Sequence, residues 1–249
     1  PPFRGAAPAT NIVAYAPGTD GGSEELVVLG AHYDSIPKYG HAPGAEDNGS
    51  GVAALLAIMK AFKASGVRTK ENVAFVAFAG EEPGLLGSEA YASSLLSTKS
   101  MMEKCLPSVP GNASASSFLG FSSRRSKDSF KAIVMDEVGW QSPALKTPTV
   151  NLEAYDWTGE VMEQLAHASA DHNGDSLTVV HSNNPFGSDH MSFLNRRIPA
   201  VLTINGDDEA YPFYHTSGDE ISQVTGSLVA KVAKMDMGGL LRLAGLEAA

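Results

Sequence analysis

Imidazole and carboxylate side chains recur in this chain just after apolar runs. His32 and Asp34 follow the β-rich run 25–30, in Ala31-His32-Tyr33-Asp34-Ser35. Asp47 comes a loop later, in Ala45-Glu46-Asp47-Asn48-Gly49-Ser50-Gly51, at the start of an apolar helix. Glu81 and Glu82 follow a second apolar run and Asp136 a third. His215 sits in the turn Pro212-Phe213-Tyr214-His215-Thr216-Ser217-Gly218 before the last helix. Converging carboxylates repel one another unless protons or cations compensate. Histidines among them favour zinc or a similar ion over calcium or magnesium. Taken singly, a His-x-Asp after a strand also reads as a structural contact, and a Glu-Glu pair as a solvated surface. The set together points to a metal site.

Strands that end on one side of a sheet would bring these residues together. Residues 11–16 and 25–31 read as strands joined by the turn cluster 17–22, hence as a hairpin. Residues 50–64 are apolar almost all round (Val52, Leu55, Leu56, Ile58, Met59, Phe62), which predicts a well-buried helix. The continuous apolar run 72–79 predicts a strand in a sheet covered on both faces, followed by a helix over 87–96. Further strands are predicted at 130–136, 149–152, 177–180 and 199–204. Helices are predicted at 158–172, at 188–195 with Ser188 as its cap, and at 222–246. Strands and helices alternate with no internal repeat. This predicts an α/β fold, a three-layer αβα sandwich around a central mixed, mostly parallel sheet. In such sheets the carboxyl ends of the strands line the ligand crevice.

The bulk composition sets outer bounds. The 249 residues, 43% hydrophobic, fit one large domain over 1–249. A net charge of -10 argues against nucleic acid or an anionic membrane as main partner. Some of that acidity is local if carboxylates gather in a site that cations neutralise. With Cys105 alone, no intrachain disulfide can form and the compartment stays open. No apolar run reaches the ~18 residues that suggest a transmembrane helix. Pro1-Pro2-Phe3-Arg4 does not read as a signal peptide, so the chain reads as a mature or excised form. Residues 104–128, rich in serine with Pro107, Pro110, Arg124 and Arg125, read as a flexible surface insertion. Asn112-Ala113-Ser114 within it is a glycosylation sequon if the protein is secreted.

His32-Tyr33-Asp34, Asp47-Asn48-Gly49-Ser50-Gly51, Glu81-Glu82 with Gly84-Leu85-Leu86-Gly87-Ser88, Asp136-Glu137-Val138-Gly139 and Tyr214-His215-Thr216 occur in this order. As an ordered set they resemble the co-catalytic di-zinc aminopeptidases, with the secreted bacterial leucyl aminopeptidases as the nearest type. Ser188-Asp189-His190 with Phe193 also resembles a family segment. The resemblance implies the zinc-exopeptidase fold and two zinc ions per chain. It implies that Asp47 bridges the ions, that His32 and Asp136 complete one and Glu82 and His215 the other. Glu81 would be the general base and Tyr214 a hydroxyl donor to the developing oxyanion, although a packing aromatic is the other reading of Tyr214. Asp34 would accept a hydrogen bond from His32 and fix its tautomer, and Asp189 would support the ligands from behind. The family's cis peptide bond would fall at Asp47-Asn48. The substrates implied are peptides with a free N-terminus. Family resemblance leans towards a secreted or lumenal protein, but the disulfide of some secreted relatives cannot exist here.

Other readings stay open. A glutaminyl cyclase-like acyltransferase has the same fold with one zinc. A carboxypeptidase or dipeptidase would need a cation such as Arg196 or Arg197 for the substrate carboxylate. A metal-free binding or scaffold domain predicts damaged ligands. His41 and His181 lie in loops that could approach the site, and His167 and His172 read as helix-surface or packing residues. Phe186, Tyr211 and Phe213 hint at a leucine-like first residue. The acidic stretch Asp207, Asp208, Glu209 would disfavour acidic substrates, and it reads equally as a solvated turn.

Overall fold

Strand β2 (Leu26–His32) is buried along its whole length and so needs a partner on each side. It has two, both parallel: β3 (Asn72–Phe78) and β4 (Phe130–Met135). The computed structural model describes residues 9–20, 23, 25–97, 127–185 and 187–247. Among them β2 lies inside one seven-stranded sheet. From one edge the order is β1 (Ile12–Ala16), β3, β2, β4, β7 (Ala200–Asn205), β5 (Thr149–Glu153) and β6 (Thr178–Ser182). The β4–β7 and β5–β6 pairs are parallel, and β1–β3 and β5–β7 antiparallel. The mixed, mostly parallel sheet expected from the alternating pattern is present.

Side chains alternate across the sheet and feed two cores. Val27, Leu29 and Ala31 of β2 face the layer of α1 (Gly51–Ser65), where they meet Ala54, Leu55 and Ile58. Leu26 and Val28 face the other layer, with Tyr91 and Leu95 of α2 (Leu86–Leu95). α3 (Gly159–His172) and α5 (Gly226–Leu243) belong to the first layer through Leu165, Val232 and Met235, and α4 (His190–Leu194) to the second through Phe193. Each fully buried side chain such as Leu29 or Ile133 contributes about 1.5–3 kcal/mol over exposure. That burial holds the strand ends in fixed register.

Three expectations need correction. The first two strands are not a hairpin, because β3 stands between them. The intervening turn is bonded to the approach to β3: Thr19 N donates to Thr69 O at 2.9 Å and Asp20 N to Lys70 O at 3.1 Å. Gly18 lies so close to that segment that a Cβ would come 2.2 Å from Lys70 O. A turn signal shows that the chain reverses, not which strand it returns beside. The last helix is shorter than 222–246. A 3₁₀ turn, Ile221–Gln223, precedes it, Thr225 N is tied to Gly139 O at 2.7 Å, and Gly245 at φ 68° follows its last turn. The short helix begins at His190, with Asp189 rather than Ser188 at its cap position and no side-chain capping bond.

The predicted insertion over 104–128 lies outside the described residues except for Lys127 and Asp128, which enter the 3₁₀ turn Lys127–Ser129. Cys105 and the sequon lie outside them too. Among the described residues no helix is long and apolar enough to cross a membrane.

Candidate metal centre

β2 ends on His32, β3 runs into Gly80-Glu81-Glu82, Asp136 follows β4, and the polar loop holding His215 follows β7. His32 is buried, and its Nδ1 lies 3.1 Å from the main-chain oxygen of Asp34. A carbonyl only accepts, so Nδ1 carries the proton and a neutral ring leaves Nε2 free as a ligand. Nε2 faces Asp136 Oδ1 at 3.2 Å and Asp47 Oδ1 at 3.4 Å. The other oxygen of Asp47 belongs to a second group. His215 Nε2 lies 3.0 Å from Asp47 Oδ2 and 2.9 Å from Glu82 Oε2. His32, Asp47 and Asp136 thus offer converging ligand atoms on one side, and Asp47, Glu82 and His215 on the other.

Hydrogen bonds from neighbouring turns hold each of these acidic residues in place. Asp47 lies in the tight turn Ala45–Ser50, and its peptide bond to Asn48 is cis. Asp219 accepts hydrogen bonds from Glu46 N at 2.8 Å and Asp47 N at 3.1 Å, and a third from the Tyr211 hydroxyl at 2.7 Å. Asn48 ties the same turn to β4 by donating to Met135 O at 2.9 Å, and it accepts from Gly51 N. Glu46 reaches the Gly139 and Trp140 main-chain N–H groups at 2.8 and 2.6 Å. Glu82 Oε1 accepts from Ile36 N at 3.2 Å, which leaves Oε2 for His215. Asp136 Oδ2 accepts from the Ser188 hydroxyl at 2.7 Å, which leaves Oδ1 for His32.

Asp34 accepts the hydrogen bond expected from His32, but through its main-chain oxygen and not its carboxylate. Its carboxylate is 3.8 Å from His32 Nδ1. It instead accepts from Gly80, Glu81 and Glu82 N–H at 2.9, 3.1 and 3.2 Å. Gly80 at φ 71° turns three successive N–H groups to one side, and a carboxylate fills the resulting nest. Asp34 therefore positions His32 through its main chain and the glutamate pair through its side chain.

The charge balance of the cluster asks for cations. Burial would lower the pKa of His32, yet Asp136, with Glu81 and Asp47, holds it well above the usual value. Burial likewise opposes the charge of His215, but Asp47 and Glu82 push it up to about 9. Asp47 is raised to about 6, by burial and by Asp136 and Glu82, against the pull of the histidines. Glu81 is raised to about 9, by burial first and then by Asp136, Asp189 and Glu82. Protons hold these carboxylates together here, and a divalent cation does the same with more charge. Asp47 Oδ2 and His215 Nε2 are buried and close, yet neither makes an aligned hydrogen bond. Orphaned atoms of ligand type are what a metal would satisfy, so the residues fit zinc.

The centre opens into a cavity of about 450 Å³. Glu81 lines it and belongs to neither ligand group. Tyr214 lines it as well, stacked on His215 with ring centroids 3.8 Å apart. Burial and the surrounding carboxylates raise its pKa, so the hydroxyl stays a donor. Asp189 is wholly buried rather than in the cavity wall, and burial pushes it up to about 7 within the field of His32 and Asp136. His41 and His181 are exposed and do not line the cavity. The supporting roles of Ser188 and Asp219 were missed from sequence. Ser188 reads as a helix cap, and an aspartate in Gly218-Asp219-Glu220 reads as a solvated turn. Only the folded chain brings them to the ligands.

The family model for peptidase family M28 matches residues 11–237. Aminopeptidase YwaD of Bacillus subtilis is 30% identical over 207 residues, covering 81% of this chain and 37% of its own length. A probable leucine aminopeptidase of Trichophyton verrucosum is 32% identical over 249 residues, covering 94% and 57%. The chain thus spans about half or less of the length of the curated relatives it matches. Among solved structures, a zinc aminopeptidase of Bacillus subtilis superposes with a TM-score of 0.72 at 24% identity, covering 96% of this chain and 51% of the other. That last likeness is one of fold.

Proposed function

The chain belongs to peptidase family M28, and we propose that it removes N-terminal residues from peptides with two zinc ions as cofactor. The observation that carries this reading is the division of Asp47. Its two oxygens serve two separate ligand groups, His32 with Asp136 and Glu82 with His215. The relatives' names, which are those of aminopeptidases, support the reaction class.

Bound zinc would supply Lewis acidity, polarising the scissile carbonyl and making a water acidic at neutral pH. The chain's own groups do the rest. Glu81, free of both ligand groups, accepts the water's proton and passes it to the leaving amine. The Tyr214 hydroxyl donates to the oxygen on which charge develops. Asp136 and Glu81 attract the α-amino group of the substrate, which favours the terminal residue over an internal one. A carboxypeptidase would need a cation for the opposite terminus, but Arg196 pairs with Glu89 at 2.6 Å and Arg197 lies over the Trp157 ring at 5.5 Å.

The test is a mass-spectrometric assay of zinc-loaded protein on two peptides, one beginning with leucine and one with glutamine, each with a chelator control. Chelator-sensitive loss of the first residue is the expected result. Loss of ammonia from the glutamine peptide without cleavage would replace it with cyclase chemistry. No change in either peptide, with no zinc retained, would leave a binding domain.

A further inference from the structure

Beside the two ligand groups, the cavity has a wall of charge that the chemistry above does not use. Glu137 lines it, 7% exposed, and its Oε2 has no hydrogen-bond partner. Asn205 fixes it by donating to the Glu137 carbonyl, from N at 3.1 Å and from Nδ2 at 3.0 Å. Glu153, the last residue of β5, pairs in register with Leu202 of β7, so both side chains stand on the same sheet face. Leu202 and Ile204 line the cavity. Glu153 does not itself line the cavity; it stands on the same sheet face as that strip, 5% exposed, and its Oε2 also lacks a partner. Asp208 and Glu209 line the cavity nearer solvent. Burial, with Asp208 and Glu209 nearby, pushes Glu153 up to about 7, which puts these three carboxylates in one electrostatic neighbourhood. Asp207 is used otherwise, as acceptor for the Ser142 hydroxyl.

None of these four carboxylates is ion-paired to a lysine or arginine among the described residues. Lys38, a basic residue lining the cavity, lies over the Tyr214 ring at 5.7 Å. Buried carboxylate oxygens without partners are costly. Here they stand beside an aliphatic strip, Leu202 and Ile204. An apolar floor with acidic groups at its end suits a side chain with an aliphatic stem and a cationic tip.

We propose that this acidic wall, Glu137 and Glu153 with Asp208 and Glu209, binds the side chain of the substrate's N-terminal residue and selects lysine or arginine over leucine. The proposal rests on the aminopeptidase reading and names its substrate class. The stem lies along Leu202 and Ile204. The ammonium or guanidinium group donates to the Glu137 carboxylate, Glu153 adds its charge from the same sheet face, and Asp208 and Glu209 draw the cation in. An acidic first residue is repelled. The aromatic residues that hinted at leucine do not oppose this. Tyr211 spends its hydroxyl on Asp219, Phe213 does not line the cavity, and Phe186 lies outside the described residues.

The experiment compares kcat/KM of zinc-loaded protein on 4-nitroanilides with and without a cationic tip: lysine against norleucine, which lacks the ammonium group, and arginine against citrulline, its neutral isostere. The cationic member of each pair is favoured by roughly tenfold or more, the value of one charge-assisted hydrogen bond. Glu153→Gln, at a residue in neither ligand group, lowers both ratios several-fold, and Glu137→Gln does the same. Equal or inverted ratios in the wild type overturn the proposal and leave the aminopeptidase reading standing. No turnover of any of the four removes that reading and this proposal with it. If the variants fail to fold, the wild-type pairs decide alone.

Discussion

Two adjacent glutamates have different surroundings. Glu82 has one oxygen held by Ile36 N–H and the other 2.9 Å from His215. Glu81 lines the cavity without joining either ligand group. Glu81→Gln is therefore expected to keep its zinc and lose about 10²–10⁴-fold in kcat. Metal analysis beside steady-state kinetics checks this, and loss of zinc in that variant would reverse the roles of the pair. Asp47→Ala removes a ligand from both groups at once. That variant should purify without zinc, and full metal occupancy would end the bridging assignment.

At the scale of the element, the turn Ala45–Ser50 decides where Asp47 points. It is built against Asp219, whose carboxylate holds two consecutive N–H groups and the Tyr211 hydroxyl. Asp219→Asn keeps the shape but puts an NH₂ where an acceptor is needed, so one donor faces another. The expected outcome is a folded protein that binds zinc about 10–100-fold more weakly. Isothermal titration after chelation reads this directly, and unchanged affinity would reduce Asp219 to a scaffold contact. Asp34 has the matching role at the turn after β3, where it collects three N–H groups.

At the scale of the whole molecule, one buried carboxyl group belongs to the core and does not line the cavity. Asp236 of α5 is fully buried, accepts from the Thr203 hydroxyl at 3.1 Å, and leaves Oδ1 without a partner. Burial pushes its pKa up to about 8. The unfolded chain releases this proton near pH ~4, while the folded chain keeps it up to about 8. Between those values the folded state binds the extra proton, so stability falls as pH rises through the window and levels off above it. Asp236→Asn cannot titrate and keeps an acceptor for Thr203. Denaturant unfolding at pH 5 and pH 8 should therefore show a smaller loss in the variant, with a difference on the order of a few kcal/mol. Equal losses in both proteins would mean that Asp236 is already ionised at pH 5.

Sequence alone determined the class of the fold and named the candidate ligands. Strand and helix periods are local, and a continuous apolar run such as 72–79 announces a covered strand wherever it pairs. Ligand types are local too, so His32, Asp47, Glu82, Asp136 and His215 could be named from motif and order, and the fold then gathers them into two groups. Tertiary structure decided what depends on residues distant in the chain. It placed β3 between β1 and β2, gave the Asp34 carboxylate to the Glu81-Glu82 turn, and brought Ser188 to Asp136 and Asp219 to Asp47. It also set Glu153 opposite Leu202 and placed Glu137, Asp208 and Glu209 along the cavity. Hydrogen bonds and fields act through space over a few ångströms, and only the folded chain determines which distant residues come within that range.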